Sequence, residues 1–332
     1  RSGFSSRLGF VLATAGSAVG LGNIWRFPYL AAKYGGGIFL LVYIILALTF
    51  GYTLIMAETS LGRMTRKSPV GAFESFGNSR FVSIGGWINA IIPILIVPYY
   101  SVIGGWVIKY LIEYFAGHSK ALAGDAYFTT FISNGWSTEI CFIIFTLFTL
   151  GIIYAGVRNG IERVSKFMMP ILIVLSLIIA VYSVTRPGAI EGVKYFLVPN
   201  FDHFSWMTVV SAMGQMFYSL SIAMGILITF GSYMKKDTSI EKSTENVEIF
   251  DTAIAIMAGL MIIPAVFAFS GGNAATLKSG PALMFITIPK VFANMGFGTA
   301  IGIVFFLLVL FAAVTSSIAL TESAVSTFED EL

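Results

Sequence analysis

The chain has 332 residues, 57% hydrophobic and 11% charged, and its 20 Lys and Arg against 17 Asp and Glu give a formal charge of +3. A mean hydropathy of +0.86 excludes an ordinary soluble domain and a disordered chain alike, and so small a charge says little about nucleic acid, which is not expected as a partner. A single cysteine, Cys141, and two histidines, His118 and His203, argue against an intrachain disulfide, a CxxC centre, a histidine-ligated metal or a Ser–His hydrolase, so no enzyme is expected.

Hydropathy and punctuation predict an all-α membrane protein with eight spans, at 8–33, 37–62, 84–115, 137–155, 162–185, 206–234, 248–273 and 298–328, by the requirement of about 18 apolar residues to cross a bilayer. The first span contains Gly16-Ser17-Ala18-Val19-Gly20-Leu21-Gly22-Asn23, then Ile24-Trp25-Arg26-Phe27-Pro28. Its three glycines are poor helix formers, which predicts local unwinding. In a bilayer, freed N–H and C=O groups persist only where protein buries them or they line a cavity. There, carbonyls can hold a cation and a fresh helix N-terminus an anion. Arg26 would be costly in lipid and should face a cavity or a partner. The alternative is a glycine-lined packing face.

Lys and Arg gather between spans on one side, from Arg1 and Arg7 through Arg63, Arg66 and Lys67 to Lys235, Lys236 and Lys242, which predicts a cytoplasmic N-terminus. Span six carries Gly214-Gln215-Met216-Phe217-Tyr218-Ser219-Leu220-Ser221-Ile222-Ala223-Met224-Gly225, whose glycines and polar groups at mid-membrane predict a second break. The proline-bounded stretch near 281–295 is too short to span. It reads equally as a re-entrant capping helix or as an amphipathic helix on the surface.

Several motifs, separated along the whole chain, then recur together: Gly16 to Pro28, Tyr34-Gly35-Gly36-Gly37, Glu58-Thr59-Ser60-Leu61-Gly62-Arg63, Gly214 to Gly225, Thr315-Ser316-Ser317-Ile318-Ala319 and Phe328-Glu329-Asp330-Glu331-Leu332. On these the chain resembles the neurotransmitter:sodium symporter family, in its bacterial, LeuT-like amino acid transporter form. The resemblance implies a five-plus-five inverted repeat with broken helices one and six, of which only eight spans are present. Residues 1–185 would be the first five-helix repeat, and 186–332 the start of the second, with three helices and the capping helix. The remaining helices of the family fold would be absent from this chain, and a short N-terminal piece is expected ahead of Arg1.

What the resemblance implies for function is sodium-coupled symport of an α-amino acid by alternating access, in the cell membrane of a bacterium. The alternative is a sodium-dependent amino acid-binding receptor, or a channel-like protein, on the same fold. Two Na+ ions are implied. Sodium site 1 would use the carbonyl of Ala18 with Asn23, Ser219 and Asp251, and sodium site 2 the carbonyls of Gly16, Val19 and Ala312 with the hydroxyls of Thr315 and Ser316. Oxygen ligands of this kind suit a hard cation, although such hydroxyls also bond back to the preceding turn. The family's asparagine position falls on Asp251 and the neighbouring carboxylate or chloride position on Ala255. Asp251 would then supply a fixed charge, so that no chloride is required.

The substrate's carboxylate would meet the first sodium, the N–H groups of Leu21 and Gly22 and the Tyr100 hydroxyl. Its ammonium would meet the carbonyls of Ala18, Tyr218 and Ser219 and the Ser221 hydroxyl. Val19, Ile96, Tyr100, Tyr218, Met224, Ser316 and Leu320 would line the side-chain pocket, which is apolar and favours a hydrophobic or aromatic amino acid. Relatives that carry monoamines have an aspartate at the position of Gly20, so this substrate should bring its own carboxylate. Gates would be formed by Arg26 above Tyr100 and Tyr218 on the outside, and by Arg1, Asp330 and Tyr233, with Phe4 nearby, on the inside. Glu58 is expected to bond the backbone of span six.

Overall fold

A computed structural model describes residues 3–77, 79–272 and 280–331; Arg1 lies outside them. Every regular element in these residues is helical. The principal ones are α1 (Arg7–Ala18), α2 (Gly22–Lys33), α3 (Gly37–Thr65), α4 (Arg80–Phe115), α5 (Gly135–Tyr154) and α6 (Val157–Val184). They continue as α7 (Trp206–Ser219), α8 (Ile226–Ser232), α9 (Ile240–Ser270) and α10 (Gly298–Glu331).

The expectation of eight spans with two broken helices is corrected by this architecture. Among the described residues six helices are long and apolar enough to cross a membrane, α3, α4, α5, α6, α9 and α10. A seventh is added if α1 and α2, bent by 50° across their break, count as one span. That pair is the single bent span. The predicted span at 206–234 instead resolves into α7 and α8 of 14 and 7 residues, each shorter than the roughly 18 that cross a bilayer. Residues 220–225 between them are not helical. Ser221 and Ala223 sit at φ 57° and 61° and Gly225 at 70°, a left-handed region that no helix accommodates.

Local chemistry sets the helix starts. Ser6 accepts from the Gly9 N–H to cap α1, and Ser205 and Thr208 form a reciprocal box at α7, each satisfying amides that the first turn leaves without partners. Prolines at 93, 98, 170 and 264 lie inside α4, α6 and α9, which is tolerated where neighbouring helices re-satisfy the freed carbonyls. The apolar stretch at Leu283–Ala293 begins as a π-helical turn and is largely buried, and Tyr110 of α4 donates to the Phe285 carbonyl at 2.8 Å. Its side chains pack largely into the protein interior.

α1 runs through the middle, packed against α6, α9 and α10, while α8 lies along α3 and α10 lies along α4. The α3–α8 contact depends on glycine at both partners. A Cβ at Gly62 would stand 1.9 Å from the Ile228 oxygen, and one at Gly231 2.4 Å from the Thr59 oxygen. Small residues admit such backbone approach between membrane helices. Gly62→Val or Gly231→Val should therefore lower stability by about 1–3 kcal/mol through overpacking. Gly151→Ala, where a Cβ meets nothing within 4 Å, should be neutral or slightly stabilising. Thermal unfolding in detergent distinguishes the two classes.

Candidate functional site

The most constrained point in the bundle is the carboxylate of Asp251 on α9, which has no solvent exposure. Its Oδ1 accepts from the Asn23 amide at 2.8 Å and from the Ser219 hydroxyl at 2.6 Å, and its Oδ2 from the Tyr43 hydroxyl at 2.7 Å. Ser219 also lies 3.1 Å from the Asn23 Oδ1. Four elements, α2, α3, α7 and α9, thus meet on one buried carboxylate whose oxygens are satisfied by neutral donors. Buried polar oxygens are as a rule satisfied in this way.

Beside this knot the first span is interrupted at Val19–Leu21, and two glycines let the neighbours close onto the break. A Cβ at Gly20 would lie 2.6 Å from the Ser316 hydroxyl and 2.7 Å from that of Tyr100, and a Cβ at Gly22 would lie 2.5 Å from the Tyr218 ring. The Tyr100 hydroxyl faces Tyr218, the Leu21 backbone and Ser316. Ser17, Ile96, Tyr100, Tyr218, Ser221, Met224, Ile226, Ser316 and Leu320 enclose a cavity of ≈ 20 Å³ here. That is room for about one water, so anything larger enters only when these walls part.

Next to this cavity α1 also meets α10. The Ser316 hydroxyl donates to the carbonyls of Gly16 and Ser17, both at 3.2 Å. A Cβ at Gly16 would come within 3.1 Å of the Thr315 Cβ. The Thr315 hydroxyl bonds back to Phe311 and Ala312, at 3.0 and 3.3 Å. Carbonyl and hydroxyl oxygens from two helices therefore share one small volume.

At one end of this path Arg26 donates to the Gly214 carbonyl at 3.3 Å and to the Gln215 side chain at 3.2 Å, with its guanidinium 5.3 Å from the Tyr218 ring centre. Gln215, fully buried, reaches the Gly22 carbonyl at 3.1 Å. At the other end Tyr233 donates to Glu322 at 2.7 Å, and Asp330 accepts from the Ser68 amide at 2.6 Å. Glu58 accepts from the Ala223 N–H at 2.8 Å, so it does bond the non-helical 220–225 segment.

The ligand and pocket residues named from sequence, the gates aside, thus fall into three groups. Asn23, Ser219 and Asp251 are in mutual contact. Ile96, Tyr100, Tyr218, Ser221, Met224, Ser316 and Leu320 share the cavity wall, while Ala18, Val19, Leu21 and Gly22 belong to the adjoining break. Gly16, Ala312, Thr315 and Ser316 meet at the α1–α10 contact. Sequence reasoning missed Tyr43 and the anchoring part of Gln215, and also Ser17 and Ile226 in the wall. A tyrosine in the apolar run Phe39–Leu46 was the available signal for Tyr43, because a phenol buried in lipid needs a partner.

An interrupted membrane helix beside a buried cluster of oxygen ligands is the arrangement of a secondary transporter. The chain belongs to the sodium:neurotransmitter symporter family, whose sequence model matches residues 1–142 and 113–332. It is 36% identical over 327 residues to an uncharacterized sodium-dependent transporter of Bacillus subtilis, covering 98% of this chain and 72% of that protein. A second such transporter, from Methanocaldococcus jannaschii, is 34% identical over 348 residues, covering 100% of this chain and 70% of the relative. Among solved structures, MhsT in complex with L-phenylalanine superposes with a TM-score of 0.90 at 38% identity, over 100% of this chain and 75% of that one. The LeuT-like fold is thereby shared.

Tyr43→Phe leaves one Asp251 oxygen buried without its donor, and should cost about 1–3 kcal/mol of stability. Chemical denaturation of the full-length protein in detergent measures it.

Proposed function

We propose that the protein is a sodium-coupled symporter that carries an α-amino acid with an apolar or aromatic side chain across the cell membrane by alternating access. The observation that carries this reading is the contact between the interrupted first span and the buried Asn23–Ser219–Asp251 cluster. Backbone N–H groups and carbonyls at the break, next to carboxylate and hydroxyl oxygens, are the groups that an amino acid zwitterion and a sodium ion together require, which supports this reading.

In this reading the first sodium takes the Ala18 carbonyl, the Asn23 side chain, Ser219, Asp251 and a carboxylate oxygen of the substrate. The N–H groups of Leu21 and Gly22 and the Tyr100 hydroxyl hold the rest of that carboxylate, and the carbonyls of Ala18, Tyr218 and Ser219 with the Ser221 hydroxyl hold the ammonium. Gly20 supports a substrate that brings its own carboxylate, because an aspartate there would run into Ser316 and Tyr100. Ile96, Met224 and Leu320 provide an apolar surround for the side chain. Met224 is unbranched and polarizable, and adapts to aliphatic and aromatic shapes.

The second sodium takes the carbonyls of Gly16, Val19 and Ala312 with the hydroxyls of Thr315 and Ser316. Those hydroxyls already bond oxygens of the same set and have only to rotate toward the ion. Sodium here ties α1 to α10, and its loss on the cytoplasmic side frees α1 to swing. Because the substrate is itself a ligand of the first sodium, each strengthens the other's binding, and the linkage is reciprocal. Tyr100 and Tyr218 close beneath Arg26 on the outside. Tyr233 and Asp330, with Arg1, close the inside, where the N-terminus lies. Asp251 supplies the negative charge at the first site, so external chloride is not needed.

Labelled amino acids tested against the full-length protein in sodium and then in potassium should give sodium-dependent binding of phenylalanine or another apolar amino acid. Asn23→Ala and Thr315→Ala should each weaken it at least tenfold. Binding indifferent to sodium would refute symport. For Asp251→Asn, uptake should be lost or become chloride-dependent, and unaltered uptake without chloride would remove Asp251 from the charge balance.

A further inference from the structure

Glu162, the last residue of the π-helical turn that opens α6, is 1% exposed and is not used by the sites described above. Its carboxylate faces the chain just ahead of α1. Oε2 accepts from the Ser5 amide at 2.6 Å, and Oε1 takes the hydroxyls of Ser5 and, at 3.2 Å, Ser6. Lys166, one turn further along α6, holds the same Oε1 at 2.6 Å. The Ser6 hydroxyl is shared, because it also accepts from the Gly9 N–H as the cap of α1. Gly9 itself packs directly on the carboxylate, where a Cβ would stand 2.1 Å from Oε1.

The first turn of α1 is therefore seated on an anion. The favourable pairing of a carboxylate with a helix N-terminus is here supplied by a different helix, so it acts between α1 and α6. The same short segment is also held from the other side, by the Phe4 N–H on the Tyr233 carbonyl at 3.2 Å and Lys235 on the Ser5 carbonyl at 2.7 Å. At its far end α1 is held by Ser316 of α10 on the Gly16 and Ser17 carbonyls. α1 thus has polar fastenings at both ends, and only the far one coincides with the second sodium site.

We propose that Glu162 is a positioning residue of the transport cycle, a latch that holds the start of α1 against α6 while sodium is bound and lets it go when the cytoplasmic side opens. This rests on the symporter reading. Sodium favours the state in which α1 is docked, and so does the latch. Removing the latch shifts the population toward the undocked state and raises the sodium concentration needed for binding, without touching the ligands.

The test uses the full-length protein in lipid nanodiscs, with Glu162→Gln, the double variant Ser5→Ala/Ser6→Ala, and the three substitutions combined. Hydrogen exchange is followed in sodium over residues 3–18, and L-phenylalanine binding is titrated with sodium. Glu162→Gln should speed exchange over 3–18 about tenfold with exchange over 135–154 unchanged, and should raise half-saturating sodium three- to tenfold at unchanged maximal phenylalanine binding. The serine variant should move both readouts in the same direction, and the combination should add little, as expected of groups in one contact. If Glu162→Gln does not fold, the serine variant carries the test alone. Unaltered exchange and sodium dependence, or fully additive effects, would overturn the latch. Phenylalanine binding by the unsubstituted protein that ignores sodium would overturn the symporter reading instead.

Discussion

A carboxylate with no route to water has to be matched by donors, and in a bilayer those donors have to come from protein. Asp251 sets this constraint. Satisfying it brings Asn23 just past the break in the first span, Tyr43 from α3 and Ser219 from the end of α7 onto one point. The rest of the interior is arranged around that meeting. Asn23 fixes where α2 restarts, and Ser219 fixes where α7 stops. The backbone freed on either side is held by Gln215 on the Gly22 carbonyl and by Glu58 on the Ala223 amide. Irregular backbone at membrane depth is tolerated only on such terms.

The same constraint links structure to transport. A carboxylate met by two hydroxyls and an amide is a poor place for an apolar side chain, and its oxygens are of the kind that a small hard cation prefers. In the proposed reading the N–H groups at the start of α2, beside it, take the carboxylate of a zwitterion. The ring of Tyr218 over Gly22 and the hydroxyl of Tyr100 over Gly20 close the space to ≈ 20 Å³. Binding therefore requires the aromatic wall to move, which couples occupancy of the site to a change of conformation.

Much of this could be read along the chain because the first span announces itself. Glycines 16, 20 and 22 in an apolar run predict an interruption, and α1 and α2 meet there at 50°. The second polar stretch was harder. Gly214, Gln215, Ser219, Ser221 and Gly225 marked a departure from helix, but composition gave no measure of its extent. The left-handed residues Ser221, Ala223 and Gly225 leave two helices too short to be a span. The count of eight failed for that reason. Tyr43 leaves little local signal because one tyrosine in a hydrophobic helix has no periodic signature, and its polar partners lie 176 and 208 residues away. Glu162 was hidden in the same way, since it bonds residues 156 and 157 positions earlier. Long-range polar pairing is invisible to local pattern, whereas glycine punctuation is not.

The central claim is that sodium and amino acid share a ligand set, and reciprocal linkage tests it most directly. The affinity of the full-length protein for L-phenylalanine would be measured across a sodium titration, and its affinity for sodium across a phenylalanine titration, both by calorimetry. Saturating sodium should raise phenylalanine affinity at least tenfold, and phenylalanine should raise sodium affinity by the same factor. Phenylalanine binding of equal strength with and without sodium would contradict that claim.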